Sequence, residues 1–292
     1  MAVRRASLAG TVALVAGGTR GAGRGIAVEL GAAGATVYVT GRSTRAGRSD
    51  MDRPETIEET AELVTAAGGT GVAVACDHSS PDQVAALVAR VRSDAGQLDV
   101  LVNDIWGGDP LTEWGTPFWH LDLGKVRALW ERAVVTHLIT SQHVVPLMLE
   151  RGRGLIVEVT DGDGSQYRGS LGYDLVKTAV NRLALAQAEE LRPHAITALA
   201  VTPGFLRSEA MLDGFGVTEG TWRDGIEQDR HFVASETPRF VGRTIAALAA
   251  DPAVASKAGR ALTSWDLAEE YDVDDVDGSR PHWGRYFAEH VR

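Results

Sequence analysis

The stretch 11-TVALVAGGTRGAGRGIAVELGAAG-34 decides how this chain folds. It opens on a short unbroken apolar run, TVALVA (11–16), the pattern of a strand buried on both faces. Glycines follow, and apolar residues then recur at helical spacing until Gly31 or Gly34 closes the helix. A glycine cluster carries chemistry when it sits between a strand and a helix. Glycine reaches backbone angles closed to other residues, and the bare start of a helix presents N–H groups to an anion. Gly17, Gly21 and Gly23 stand at G-x-x-x-G-x-G spacing, with Thr19, Arg20 and Ala22 between them. This spacing predicts a nucleotide-binding turn, distinct from the commoner G-x-G-x-x-G.

Outward from that turn, strand and helix patterns alternate. Strand-like runs are ATVYVT (35–40), GVAVACD (71–77), LDVLVND (98–104), GLIVEVT (154–160), AITALAVT (195–202) and a short one near RALTS (260–264). Helical patterns cover 53–69, 80–96, 124–150, 172–192 and 237–250, the second with Ser80 or Ser79 as N-cap and Pro81 in its first turn. Such alternation implies right-handed crossovers and a Rossmann-type, doubly wound parallel sheet in a three-layer α/β/α arrangement. We read 1–292 as a single domain, with 206–236 as a substrate lid and the acidic, turn-rich 262–292 as a C-terminal cap or tail.

Composition narrows the function. The 292 residues are 44% apolar and 23% charged, enough for one large core. A net charge of −10 without a basic run argues against nucleic-acid binding. The single cysteine, Cys76, excludes an internal disulfide and suits a reducing cytoplasm. No apolar stretch has the length of a membrane span. Arg4 and Arg5 precede an apolar run, as in a leader peptide, but glycines end that run after six residues and no small-residue cleavage site follows. No metal site is expected.

Cofactor choice turns on the end of the second strand. An acid there accepts from the ribose 2′-hydroxyl of NAD, whereas an arginine suits the 2′-phosphate of NADP. The chain reads VTGRS, giving Arg42 and Ser43 and no acid, and Arg20 adds a cation in the glycine turn. A guanidinium matches phosphate geometry. NADP(H) is therefore expected over NAD(H).

The chemistry is expected in 159-VTDGDGSQYRGSLGYDLVK-177. Tyr173 and Lys177 are four apart and share a helix face. Bringing a tyrosine from pKa about 10 to about 7 needs about 4 kcal/mol of differential stabilisation, and a neighbouring cation supplies part of it. Tyr173 then acts as acid toward a carbonyl or base toward an alcohol.

Together, the glycine turn, the strand pattern and Tyr173-x-x-x-Lys177 resemble the short-chain dehydrogenase/reductase family over roughly 8–250. The resemblance assigns Asp77 and His78, after the third strand, to adenine. It sets Asn103, Asp104 and Ile105 in the family's Asn-Asn-Ala-Gly segment. It places Pro203, Gly204 and Leu206 against the nicotinamide, with Ser208 in a frequent threonine slot. It implies a seven-stranded sheet, reversible hydride transfer with a small-molecule carbonyl or alcohol, a homodimer or homotetramer, and Lys177 on the nicotinamide ribose.

Two positions depart from the family pattern. Asp161 stands in the serine slot, beside Thr160, with Ser165 and Tyr167 in the same loop. The asparagine of the helix after the fourth strand falls on Ala133 or His137, depending on the anchor used for counting. A charged Asp161 would raise the pKa of Tyr173. It can point away and leave the substrate oxygen to Thr160 or Ser165, hold a proton, or pair with a cation such as a substrate amine or iminium. We expect it to take over the serine's substrate-positioning role. These departures keep two other readings open: non-redox acid/base chemistry on the same scaffold, and a cofactor-binding protein with little turnover. Trp106, Trp114, Trp119, Phe205 and Phe215 are candidates to wall an apolar pocket.

Overall fold

A computed structural model of the chain describes residues 7–48, 51–162 and 166–291. The opening run forms β1 (Val12–Ala16), buried at every position. The glycine turn leads into α1 (Gly21–Ala32), and then come β2 (Thr36–Gly41), α2 (Ile57–Ala66), β3 (Thr70–Ala75), α3 (Pro81–Ala95) and β4 (Val100–Asn103). Ser80 caps α3, accepting from the Gln83 amide.

The single helix predicted over 124–150 is instead α4 (Leu123–Trp130) and α5 (Thr136–Leu149), joined by a π turn over Glu131–Val135. Such turns recur near functional sites, and Ala133 and His137 lie in it and just after it. The chain continues through β5 (Gly154–Val159), α6 (Leu171–Leu191), β6 (Ile196–Thr202), α7 (Glu209–Gly214), α8 (Pro238–Ala249), β7 (Ala261–Thr263), α9 (Ser264–Tyr271) and α10 (Trp283–His290).

The seven strands form one sheet in the order β3-β2-β1-β4-β5-β6-β7, every pair parallel. Two apolar layers cover it. Ile26 and Leu30 of α1 pack with Val241 and Ile245 of α8 on one face. Leu87 of α3 and Val144 and Leu147 of α5 pack on the other. The order reverses between β1 and β4, where Ala16 pairs with Asn103. A crevice opens beyond the carboxyl ends of strands at such a switch point. No helix among the described residues is long and apolar enough to cross a membrane. Arg4, Arg5 and Ser165 lie outside the described residues.

Candidate active site

A cavity of about 1000 Å³ fills that crevice, running from the glycine turn to Tyr173 and Lys177. Gly17, Thr19, Arg20, Gly21 and Ala22 line one end. Gly17 has φ +90°, and a Cβ there would strike the Asp104 carbonyl, so the position needs glycine on both counts. Gly23 does not line the cavity. Its amide donates to the Asp104 carboxylate, and a Cβ there would lie 2.8 Å from Asp104 Oδ2. Burial pushes the Asp104 carboxyl up to about 7, with Lys177 opposing.

The Gly21 amide donates to Glu209 Oε2 at 2.8 Å, and Arg24 Nε lies 3.6 Å from Glu209 Oε1. A carboxylate of α7 thus sits at the start of α1, where the bare helix end favours an anion. Arg20 Nη1 is buried without a hydrogen-bond partner among the described residues, 3.7 Å from Glu55 Oε2, and burial lowers the Arg20 pKa. Arg42, Ser43, Asp77 and His78 line the neighbouring wall. Asp77 accepts from the amide and hydroxyl of Ser79 at 2.9 and 2.7 Å. The His78 ring is held between Thr40 and Thr140, and burial pushes it down to about 4, so it stays neutral. Asn103 departs from expectation: its amide donates to Ser141 and Glu158 in the interior, and it does not line the cavity. A β-strand turns successive side chains to opposite faces, so Asp104 reaches the site and Asn103 does not.

At the other end, Tyr173 Oη donates to Asp161 Oδ2 at 2.7 Å. Arg168 holds the same carboxylate, with Nε 3.2 Å from Oδ2 and Nη2 on Oδ1. Asp161 therefore neither points away nor waits for a substrate cation, since its counter-ion belongs to the chain. Burial raises the Tyr173 pKa well above its ordinary value, and Asp161 adds to this while Arg168 opposes it. Burial works against the charge on Arg168, but Asp161, with Tyr173 and Asp174, together offsets it and the pKa rises. Lys177 Nζ lies 4.1 Å from the Trp106 ring centroid. Burial lowers its pKa, with Asp161, Asp104 and Asp109 opposing. Thr160 lines the cavity, but its hydroxyl donates to the Lys177 carbonyl at 2.8 Å, so its proton serves α6. His137 contacts Glu158 at 2.7 Å and the Ile105 carbonyl at 3.1 Å, away from the cavity.

Trp106 and Trp114 pack on Tyr173, with centroids 5.5 and 5.0 Å apart, and line the cavity with Phe205. Trp119 does not: it is exposed against Phe118 and His120. Phe215 packs on Phe232, away from the cavity. Pro203, Gly204, Leu206 and Ser208 line the cavity. Glu236 accepts from the Gly204 amide at 2.9 Å and from Ser264 at 2.7 Å, and burial pushes its carboxyl up to about 8. The C-terminal segment reaches the site, because Trp283 of α10 packs on Phe205 and lines the cavity. Arg168, Glu209 and Trp283 are among the cavity-lining residues that motif reasoning misses, and Glu236 supports the Gly204 amide from behind. For Arg168 a signal existed, since an acid beside a tyrosine calls for a cation within reach.

Comparison with known proteins accords with this geometry. The short chain dehydrogenase family model matches residues 11–214. Dehydrogenase/reductase SDR family member 1 of Mus musculus is 35% identical over 278 residues, 94% of this chain and 85% of that protein. A short chain dehydrogenase from Mycobacterium thermoresistibile superposes with TM-score 0.78 at 24% identity, covering 95% of this chain and 93% of that one. A 7α-hydroxysteroid dehydrogenase complexed with NADH and 7-oxo glycochenodeoxycholic acid superposes with TM-score 0.72 at 25% identity, covering 89% and 94%. The chain belongs to the short-chain dehydrogenase/reductase family and is an oxidoreductase of that type.

Proposed function

We propose that this member of the family is an NADP(H)-dependent enzyme that interconverts a bulky, moderately apolar carbonyl compound and its alcohol. The observation that carries the reading is the convergence of Tyr173, Lys177 and the Pro203–Gly204 turn at one end of a cavity whose other end is the glycine turn. The fit to a dinucleotide rests on the Glu209 carboxylate at the Gly21 amide, a stand-in for a phosphate oxygen, and on the buried Arg20 Nη1, which has no hydrogen-bond partner among the described residues. The glycine turn would hold the diphosphate, Arg42 and Ser43 the 2′-phosphate, and Lys177 the nicotinamide ribose. When bound, the cofactor supplies or accepts the hydride. Tyr173 exchanges the proton with the substrate oxygen. Trp106, Trp114, Phe205 and Trp283 give the cavity an apolar wall that favours an apolar substrate. With Arg168 on Asp161, an iminium is no longer needed to balance that carboxylate, and the carbonyl reading is preferred.

Arg42→Leu tests the cofactor assignment. A charge-assisted hydrogen bond is worth about 1.5–3 kcal/mol, so Kd for NADPH should rise by about tenfold to a hundredfold while that for NADH barely moves. Fluorescence titration checks this, and tighter NADH than NADPH binding by the unaltered protein would overturn it. Glu209→Gln should act in the opposite direction. It removes the charge competing with diphosphate for the Gly21 amide, so NADPH should bind about two- to fivefold more tightly, the equivalent of roughly 0.5–1 kcal/mol. Weaker binding would mean that Glu209 serves the lid instead.

Trp130, Leu138 and Leu175 on α4, α5 and α6 are exposed apolar side chains, which supports association of copies into a homodimer or homotetramer through these helices. A buried Cys76, its thiol pushed up to about 12 by burial, is compatible with cytoplasmic residence.

A further inference from the structure

The family pattern provides a serine hydroxyl beside the tyrosine, and this chain provides a carboxylate that already accepts the tyrosine's proton. Tyr173 Oη donates to Asp161 at 2.7 Å, and Arg168 grips Asp161 through two nitrogens. The tyrosine proton is thus engaged in the ground state, while the lone pairs of Oη remain available to accept. A bare tyrosinate is poorly supported there. The charged groups facing Tyr173 are Asp161 and Arg168 from the loop after β5, and Asp109 from the turn after β4. Lys177, one turn along α6, lies 5.5 Å from the ring centroid and is stacked on Trp106. Two of these four groups are carboxylates, and Asp161 is the one in contact with the hydroxyl.

We propose that Asp161 is the terminal proton acceptor of a relay that runs from the substrate hydroxyl to Tyr173 and from Tyr173 to Asp161, with Arg168 as the positioning residue that fixes the carboxylate. The inference rests on the hydride-transfer reading above. In alcohol oxidation the carbinol C–H bond breaks and its electron pair leaves as hydride to the oxidised nicotinamide dinucleotide. The O–H electron pair becomes the second carbon–oxygen bond. The hydroxyl proton passes to Tyr173 Oη as the tyrosine's own proton passes to Asp161, which afterwards releases it to water. Tyr173 is neutral before and after, so no phenolate is left beside a carboxylate.

The sign of a pH shift separates this relay from a tyrosine that acts as the base itself. Asp161→Ser restores the family's residue. If Tyr173 is the base, removing the neighbouring negative charge makes the phenol more acidic, and the acidic limb of kcat/KM for alcohol oxidation moves to lower pH. If Asp161 is the acceptor, its loss hands the task to a phenol, which ordinarily titrates about six units above a carboxylate. The limb then moves up, by more than about one pH unit after Lys177 has offset part of that gap. We expect the upward shift. Asp161→Asn keeps an acceptor for Tyr173 but no base, and should lower oxidation by about a hundredfold or more at the original optimum, with alcohol KM little changed.

A readout independent of turnover is the tyrosinate absorbance of the protein with oxidised cofactor bound, against Tyr173→Phe as blank. No Tyr173 ionisation should accompany the limb in the unaltered protein, and it should appear in Asp161→Ser. A downward limb shift, or tyrosinate growing in with the limb of the unaltered protein, overturns the relay. If neither alcohol oxidation nor ketone reduction is detected, or Tyr173→Phe leaves turnover unchanged, the hydride-transfer reading fails instead. The absorbance titration would still show whether Asp161 governs the tyrosine proton.

Discussion

Tyr173→Phe should lower turnover by about a thousandfold, the middle of the range for a positioned general acid or base, while leaving NADPH binding within a few-fold. The substitution deletes one oxygen. The ring stays packed against Trp106 and Trp114, so its place at the start of α6 is kept. Asp161 keeps Arg168 as a partner and is not left as an uncompensated charge. The stability cost is then that of one hydrogen bond, about 1 kcal/mol. The lost oxygen is the group placed to exchange a proton with the substrate. Thr160 cannot replace it, because its hydroxyl donates to the Lys177 carbonyl. Steady-state oxidation of NADPH with an accepted ketone measures the loss, and fluorescence titration shows that the cofactor still binds. Turnover within tenfold of the original would place the acid elsewhere and remove the basis of the proposed mechanism.

The physical origin of each feature explains how far the sequence could be read. Short apolar runs between glycine turns encode buried parallel strands directly, so β1, β2, β4, β5 and β6 fall where periodicity puts them. The Tyr173–Lys177 pair is legible because a helix converts a spacing of four into one face. Arg168 is different. It lies in an irregular loop seven residues after Asp161, and no period relates the two. Glu209 reaches Gly21 across 188 residues, a contact fixed by how α7 folds back over the crevice. The π turn at Glu131–Val135 is a change of hydrogen-bond register and carries no residue signature, so the pattern there reads as one helix. Trp119 and Phe215 show the converse. Aromatic residues near a site announce burial, but not which cavity they face.

Gly25→Ala should destabilise the protein, although helix propensity alone gives the opposite sign. Gly25 lies inside α1 with ordinary helical angles, and in an exposed helix alanine is better than glycine by about 1 kcal/mol. Here α1 and α8 cross backbone to backbone. A Cβ at Gly25 would drive into the Pro238 carbonyl and lie 2.8 Å from the Arg239 amide nitrogen. The approach is reciprocal, since a Cβ at Gly242 would lie 2.5 Å from the Gly25 carbonyl oxygen. Neither obstacle is a flexible side chain that can swing aside. The helices must separate, which opens gaps beside Ile26, Val241 and Ile245 in the layer that covers the sheet. Overpacking of this kind costs about 3 kcal/mol at the upper end of its usual range, leaving a net loss of about 2 kcal/mol or more. For a domain of this size that lowers Tm by roughly 4–8 °C. Gly214→Ala at the end of α7 is the matched control, because a Cβ there meets nothing within 4 Å, and it should leave Tm unchanged or slightly raised. Gly25 is about one turn from Gly21, so any tilt of α1 also moves the amide that Glu209 occupies. Cofactor affinity should therefore fall together with Tm in Gly25→Ala and in neither respect in Gly214→Ala. A Gly25→Ala protein as stable as the original would show that α8 yields without cost, and that the α1–α8 crossing does not hold the glycine turn in place.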